Sequence, residues 1–181
     1  AALLAVAEEP GQIAEIGEWV LHSACREARR WIARSPGPFH VAVNVSARQI
    51  RQMGYELAVE SALAETGLAP HQLTLELAEG SLIDDSGAAL RTLGVLRQRG
   101  VRLSIDDFGR GHAALANLKR LRFDEIKIDA GFVAGLPDDP ADATITTAIL
   151  PLAHGLGAAA VAEGIETREQ LEFLEEAGCA L

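Results

Sequence analysis

The feature that most constrains this chain is an alternation inside its short apolar segments. Residues 41–45, 73–78, 101–105, 125–128 and 158–162 read as strands, separated by longer helical patterns. In four of them one parity is aliphatic: Val41, Val43 and Val45; Leu73, Leu75 and Leu77; Leu103 and Ile105; Ile126 and Ile128. The other parity is small or polar: Ala42 and Asn44; Thr74, Glu76 and Ala78; Ser104 and Asp106; Lys127 and Asp129. An open, doubly wound sheet carries helices on both faces, so both parities would be apolar. A barrel carries helices outside only, and polar groups gather where its lumen opens. The pattern therefore predicts an α/β fold of the TIM (β/α) barrel kind. Asp107 and Glu163 fall out of parity and are expected in loops just past their strands. Helices are predicted over 12–34, 47–66, 86–99, 112–120, 141–155 and 167–177, with Gly67, Gly100 and Gly178 as C-terminal caps.

Composition narrows the function classes. A chain of 181 residues that is 49% hydrophobic builds one core, and no linker-like stretch divides it, so a single domain over 1–181 is expected. A net charge of −10 argues against long nucleic acid held by bare protein charge. It leaves room for a small anionic ligand, because bound divalent cations invert local electrostatics. Cys25 and Cys179 are too few and too far apart for a disulfide framework or metal clip, which suits a reducing compartment. The longest apolar run is broken by Pro151 and His154, and residues 1–7 carry no basic leader. A cytoplasmic segment without membrane contact is the expectation.

Polar side chains recur at the C-terminal ends of the strands: Asn44, Glu76 with Glu79, Asp106 with Asp107, Lys127 with Asp129, and Glu163 with Glu166. In a parallel barrel those ends converge on one face. Several carboxylates in a small volume do not all stay ionised without a cation. Oxygen donors without His or Cys suit Mg²⁺ or Mn²⁺, and an aspartate pair bridging two such ions serves phosphoryl displacement. Lys127 stands out because the chain has only 2 Lys against 14 Arg. On the polar parity of a strand it is placed to position an attacking water or to offset transition-state charge. Simpler readings exist for each residue alone: Asn44 as a turn former, Asp106 and Asp107 opening a turn, Glu163 and Glu166 announcing a helix at Thr167. It is their succession over five strand ends that favours a site. Two familiar patterns fail. Gly109-Arg110-Gly111-His112-Ala113-Ala114 fits G-x-G-x-x-A, but the two aspartates before it would repel a pyrophosphate. Asp107-Phe108-Gly109 matches the kinase triplet without the other kinase signatures.

Six segments carry a resemblance to a known family. They are Ile16-Gly17-Glu18-Trp19-Val20-Leu21, Val43-Asn44-Val45-Ser46-Ala47-Arg48-Gln49, Leu75-Glu76-Leu77-Ala78-Glu79, Ile105-Asp106-Asp107-Phe108-Gly109, Lys127-Ile128-Asp129 and Ala162-Glu163-Gly164-Ile165-Glu166-Thr167. In order and spacing the chain resembles the EAL family of bacterial cyclic di-GMP phosphodiesterases. The resemblance implies a modified TIM barrel that hydrolyses cyclic di-GMP to linear pGpG with Mg²⁺ or Mn²⁺, two ions in all. It implies Asn44, Glu76 and Asp106 as ligands of one metal, with Asp106 bridging to a second held also by Asp107 and Glu163. Lys127 resembles the lysine that contacts the catalytic water, and Glu163 has the place of a base. Glu79 resembles the glutamate anchoring the loop that begins at Asp107, and Asp129 and Glu166 are implied as supporting residues. The residues that bind substrate are not assigned. A homodimer, and fusion to a GGDEF or sensor domain, are implied as partners.

The departures set the rival reading. The family's Glu-Ala-Leu would precede residue 1 and its Gln-Gly motif would follow Leu181. A (β/α)₈ barrel also needs ~250 residues. The chain is therefore expected to be the middle of a barrel, incomplete at both ends, with a sixth strand starting at Cys179-Ala180-Leu181. The usual Asp-Phe-Gly-Thr-Gly-Tyr-Ser-Ser loop carries Arg110, His112, Ala113 and Ala114 instead, and Ala78 replaces a threonine. Lost hydroxyls there weaken the expected contact with Glu79. The alternative is a cyclic di-GMP-binding or interaction module without turnover; an enolase-like lyase is more distant.

Overall fold

The computed structural model of the protein describes residues 13–34, 39–82, 87–110 and 115–179. The chain divides into two compact units, Ala1–Glu76 with Ser86–Arg102 and Leu77–Asp85 with Leu103–Leu181.

The first unit contains α1 (Ile13–Ile32), β1 (Val41–Val45), α2 (Ala47–Arg51), α3 (Tyr55–Thr66), most of β2 (Leu73–Ala78) and α4 (Ala88–Gln98). Leu21, Cys25 and Ala28 recur at four- and three-residue steps on α1 and are fully buried or nearly so. Val59, Ala62 and Leu63 form the matching face of α3, which packs on α1. In this unit β1 lies beside β2. The helix expected over 47–66 is two helices. Ser46 caps α2 through a reciprocal pair with Gln49. Gln52 then turns extended and Gly54 adopts φ 87, a conformation that suits glycine and ends helical continuity before α3.

The second unit contains most of β3 (Arg102–Phe108), α5 (Leu115–Leu121), β4 (Glu125–Ile128), α6 (Ala130–Ala134), α7 (Pro140–Leu156), β5 (Ala159–Ala162) and α8 (Arg168–Glu176), with a 3₁₀ turn at Glu79–Leu82. Its strands run in the order β3-β4-β5, and both pairs are parallel. Leu103, Ile105, Ile126 and Ile128 are buried, as the parity predicts. Ser104 is buried as well, so the small parity is also enclosed. β3 runs three residues past its expected end. The pairing Ile105↔Ile126 is followed by Phe108↔Ile128, three steps on β3 against two on β4, which is a β-bulge. Asp107 sits in that bulge with φ 54, so it lies within the strand rather than in a loop beyond it. The extra residue resets the alternation and returns Phe108 to the buried side. Glu163, by contrast, does follow its strand directly.

α6 has too few residues for its periodicity to be read, although Asp129 caps it by accepting from the Gly131 N–H at 2.7 Å. Among the described residues no helix is long and apolar enough to cross a membrane. Residues 1–7, 111–114, 180 and 181 lie outside the described residues, and with them the altered loop beyond Arg110 and the expected sixth strand.

Candidate active site

Strand register builds the site in the second unit. Ile105 pairs with Ile126, so Asp106 and Lys127 come level on neighbouring strands, and Lys127 Nζ stands 3.7 Å from Asp106 Oδ1. Ile128 pairs with Ala162, so Glu163 is the first residue beyond the ladder, its N–H donating to the Ile128 carbonyl at 3.3 Å. The Glu163 carboxylate forms an ion pair with the same Lys127 ammonium. One cation thus joins side chains from three successive strand ends. Lys127 is only 15% exposed, which strengthens both pairings over those of a surface lysine.

The bulge explains how two consecutive aspartates serve one site. On a regular strand Asp106 and Asp107 would face opposite ways. The left-handed turn at Asp107 cancels that alternation, and its N–H donates to Asp106 Oδ1 at 3.1 Å. Aspartate tolerates this conformation better than most residues. The Asp107 and Asp129 carboxyl groups share a hydrogen bond. Burial first, then that hydrogen bond and the charges of Asp106 and Asp129, push the Asp107 carboxyl above the ordinary range, and Arg110 partly opposes the shift. Arg110 Nε lies 2.8 Å from Asp129 Oδ1. Glu79, buried at the start of the 3₁₀ turn, accepts from the Gly109 N–H at 3.1 Å. The segment from Asp107 to Arg110 is therefore held by two carboxylates.

Five expected residues, Asp106, Asp107, Lys127, Asp129 and Glu163, are linked by these contacts, and Glu79 holds the adjoining backbone. Glu166 is not among them. Its described contact is through its backbone: the N–H groups of Glu166 and Thr167 donate to Gln170 Oε1, and Thr167 caps α8. The helix-start reading thus describes Glu166 well. Asn44 and Glu76 belong to the first unit, Asn44 exposed within β1 and Glu76 buried in β2. Sequence reasoning missed Arg110 as the partner of Asp129; its signal was the departure from threonine. It also missed Gly17, where a Cβ would overlap the amide of buried Gln49.

The donors are all carboxylate oxygens with crowded negative charge, a set that suits a hard divalent cation. Among the described residues no three acidic, His or Cys side chains converge on one point. Lys127 stands between Asp106 and Glu163 instead. The residues present fit a divalent cation by donor chemistry.

These features define a class: an α/β domain of TIM-barrel type with acids and one lysine at its strand ends. A family model described as EAL domain matches residues 1–181. The chain belongs to the EAL domain family. It is 44% identical over 176 residues to the bifunctional diguanylate cyclase/cyclic di-GMP phosphodiesterase MucR of Pseudomonas aeruginosa, covering 97% of this chain and 26% of that protein. It is 39% identical over 178 residues to the cyclic di-GMP phosphodiesterase NbdA of the same organism, covering 98% and 23%. Among solved structures, the MucR phosphodiesterase in complex with c-di-GMP superposes with a TM-score of 0.92 at 44% identity, over 97% of this chain and 71% of that one. The EAL domain of Mycobacterium smegmatis DcpA gives 0.86 at 38% identity, over 92% and 75%. The chain spans about a quarter of the length of the curated relatives it matches. Phosphodiesterases of this family are metal-dependent.

Proposed function

We propose that this chain is the core of a phosphodiesterase domain that hydrolyses cyclic di-GMP to linear pGpG. The observation that carries the reading is Lys127 held between Asp106 and Glu163 at three successive strand ends. Asp106, Asp107 and Glu163 would hold Mg²⁺ or Mn²⁺, with Asn44 and Glu76 as further oxygen donors on the family pattern, two ions in all. When bound, such ions supply Lewis-acid stabilisation to the phosphoryl oxygens. Lys127 orients the attacking water beside the scissile phosphate, and Glu163 accepts the proton that water gives up at its carboxylate oxygen. Water's oxygen bonds to phosphorus as one ester oxygen leaves and takes up a proton from solvent, opening the ring. Glu79 and Asp129 keep the Asp107 backbone and carboxyl in place, with Glu166 at the site's margin.

The relative MucR is named as a diguanylate cyclase as well. The complete protein is accordingly proposed to carry a GGDEF or sensor domain, to act in the cytoplasm and to pair as a homodimer.

The test is incubation of the full-length protein with cyclic di-GMP and Mn²⁺. Release of pGpG is expected, and Asp106→Asn should abolish it while leaving the circular dichroism spectrum unchanged. Retained Mn²⁺-dependent turnover in Asp106→Asn would remove the bridging role. The altered loop at Arg110 favours a second reading, a binding module without turnover; nucleotide binding in calorimetry with no pGpG would establish that instead.

A further inference from the structure

Arg110 stands where the family pattern has a threonine, and it reaches the buried carboxylate of Asp129, which caps α6. Its Nε lies 2.8 Å from Asp129 Oδ1, the oxygen that also accepts from the Gly131 N–H at 2.7 Å. The guanidinium side chain is 65% exposed while Asp129 is 4% exposed, so a solvent-side cation closes over a buried anion. The Arg110 N–H closes back on the Asp107 carbonyl at 3.5 Å, so the residue that meets Asp129 is joined to the β3 bulge. The backbone one residue earlier is tied separately, by Gly109 to Glu79. Gly131 leaves the room this needs: a Cβ there would lie 2.7 Å from both Arg110 Nη2 and Asp129 Oδ1.

We propose that Arg110 is a positioning residue that, by pairing with Asp129, fixes the backbone of the bulge at Asp107, keeps its carboxylate in place for a divalent cation and so replaces the loop hydroxyl this chain lacks. The inference rests on the reading of Asp107 as a metal ligand. Arg110 touches neither metal nor substrate in this role. It acts as a latch between the bulge and the start of α6.

Two effects of the guanidinium on a bound cation have opposite sign, which makes the latch testable. As a bare positive charge it opposes a metal ion, weakly because it is largely exposed and screened. As a latch it favours the ion by fixing a ligand, and loss of such outer supports typically costs about 10- to 100-fold in metal affinity. The experiment is calorimetric titration of Mn²⁺, without nucleotide, into the full-length protein and its Arg110→Ala and Arg110→Lys variants, with amide exchange followed at Phe108 and Gly109. Arg110→Ala is expected to bind Mn²⁺ roughly tenfold more weakly, with faster exchange at both amides, although it removes a positive charge. Arg110→Lys should recover part of the loss. Unchanged or tighter Mn²⁺ binding in Arg110→Ala overturns the latch, and so does an Arg110→Lys that recovers nothing. Because these readouts need no turnover, wild-type protein that binds Mn²⁺ but releases no pGpG defeats the hydrolase reading alone.

Discussion

Asp107 carries opposed demands in a single side chain. It occupies a left-handed conformation that costs a non-glycine residue on the order of 1 kcal/mol. Its carboxyl is also pushed above the ordinary range by burial and by Asp106 and Asp129. A carboxyl raised in the folded state contributes stability at low pH that is lost as pH rises through its shifted value. Without metal, Asp107→Asn should therefore melt higher than wild type at neutral pH. The gap should close as pH falls through the raised value, where the wild-type carboxyl regains its proton. Adding Mn²⁺ should reverse the order by stabilising the wild type alone. Scanning calorimetry in EDTA and in Mn²⁺ checks both signs; a variant no more stable than wild type in EDTA at neutral pH would mean the crowding is relieved some other way. Gly17 shows a different single-residue constraint, since it is bare so that Gln49 can reach back to the Ser46 N–H, 3.1 Å away.

Among the elements, strands were more legible than helices, for a physical reason. Alternation needs only a few residues to declare itself, so β1, β2 and β4 match their predicted bounds. The helix over 47–66 failed because Met53, 99% exposed, sits in a break that hydrophobic periodicity cannot report. The bulge in β3 was legible only as an anomaly: Asp107 out of parity signalled an extra residue within the strand, where a loop was expected. Arg110 and Asp129 were both visible, but their pairing depends on a helix too short to predict. At this scale the test is Gly54→Ala. Nothing lies within 4 Å of a Cβ there, so the substitution carries backbone strain without a clash. It should cost about 1 kcal/mol in urea denaturation. No loss would mean that the α2–α3 break tolerates an ordinary residue.

For the molecule as a whole, stability should fail first on the alkaline side. Burial pushes the Cys25 thiol up from 9.0 to about 11. Tyr55 is also raised, by burial and then by Cys25 and Glu18. Both groups keep their protons when folded and lose them sooner when unfolded. The Cys25 contribution is full below pH 9 and is lost as pH rises towards about 11, and that of Tyr55 is lost at higher pH. A net charge of −10 adds repulsion as they ionise. The melting temperature should accordingly drop from about pH 9 upward, and Cys25→Ala should flatten the first part of that fall. An unchanged alkaline profile in Cys25→Ala would place the transition on Tyr55 or elsewhere.

The β3 bulge also bears on how such a chain can be altered by insertion or deletion. Residue identity has room to drift at 110, where Arg110 already departs from the family pattern, but not at Asp107 or Gly109, both held at positive φ. Segment length has none. Removing one of the two aspartates would restore simple pleating and leave Phe108 facing inward, but only one carboxylate would remain where the bulge carries two. Libraries that vary this segment should therefore keep its number of residues fixed and change chemistry at 110.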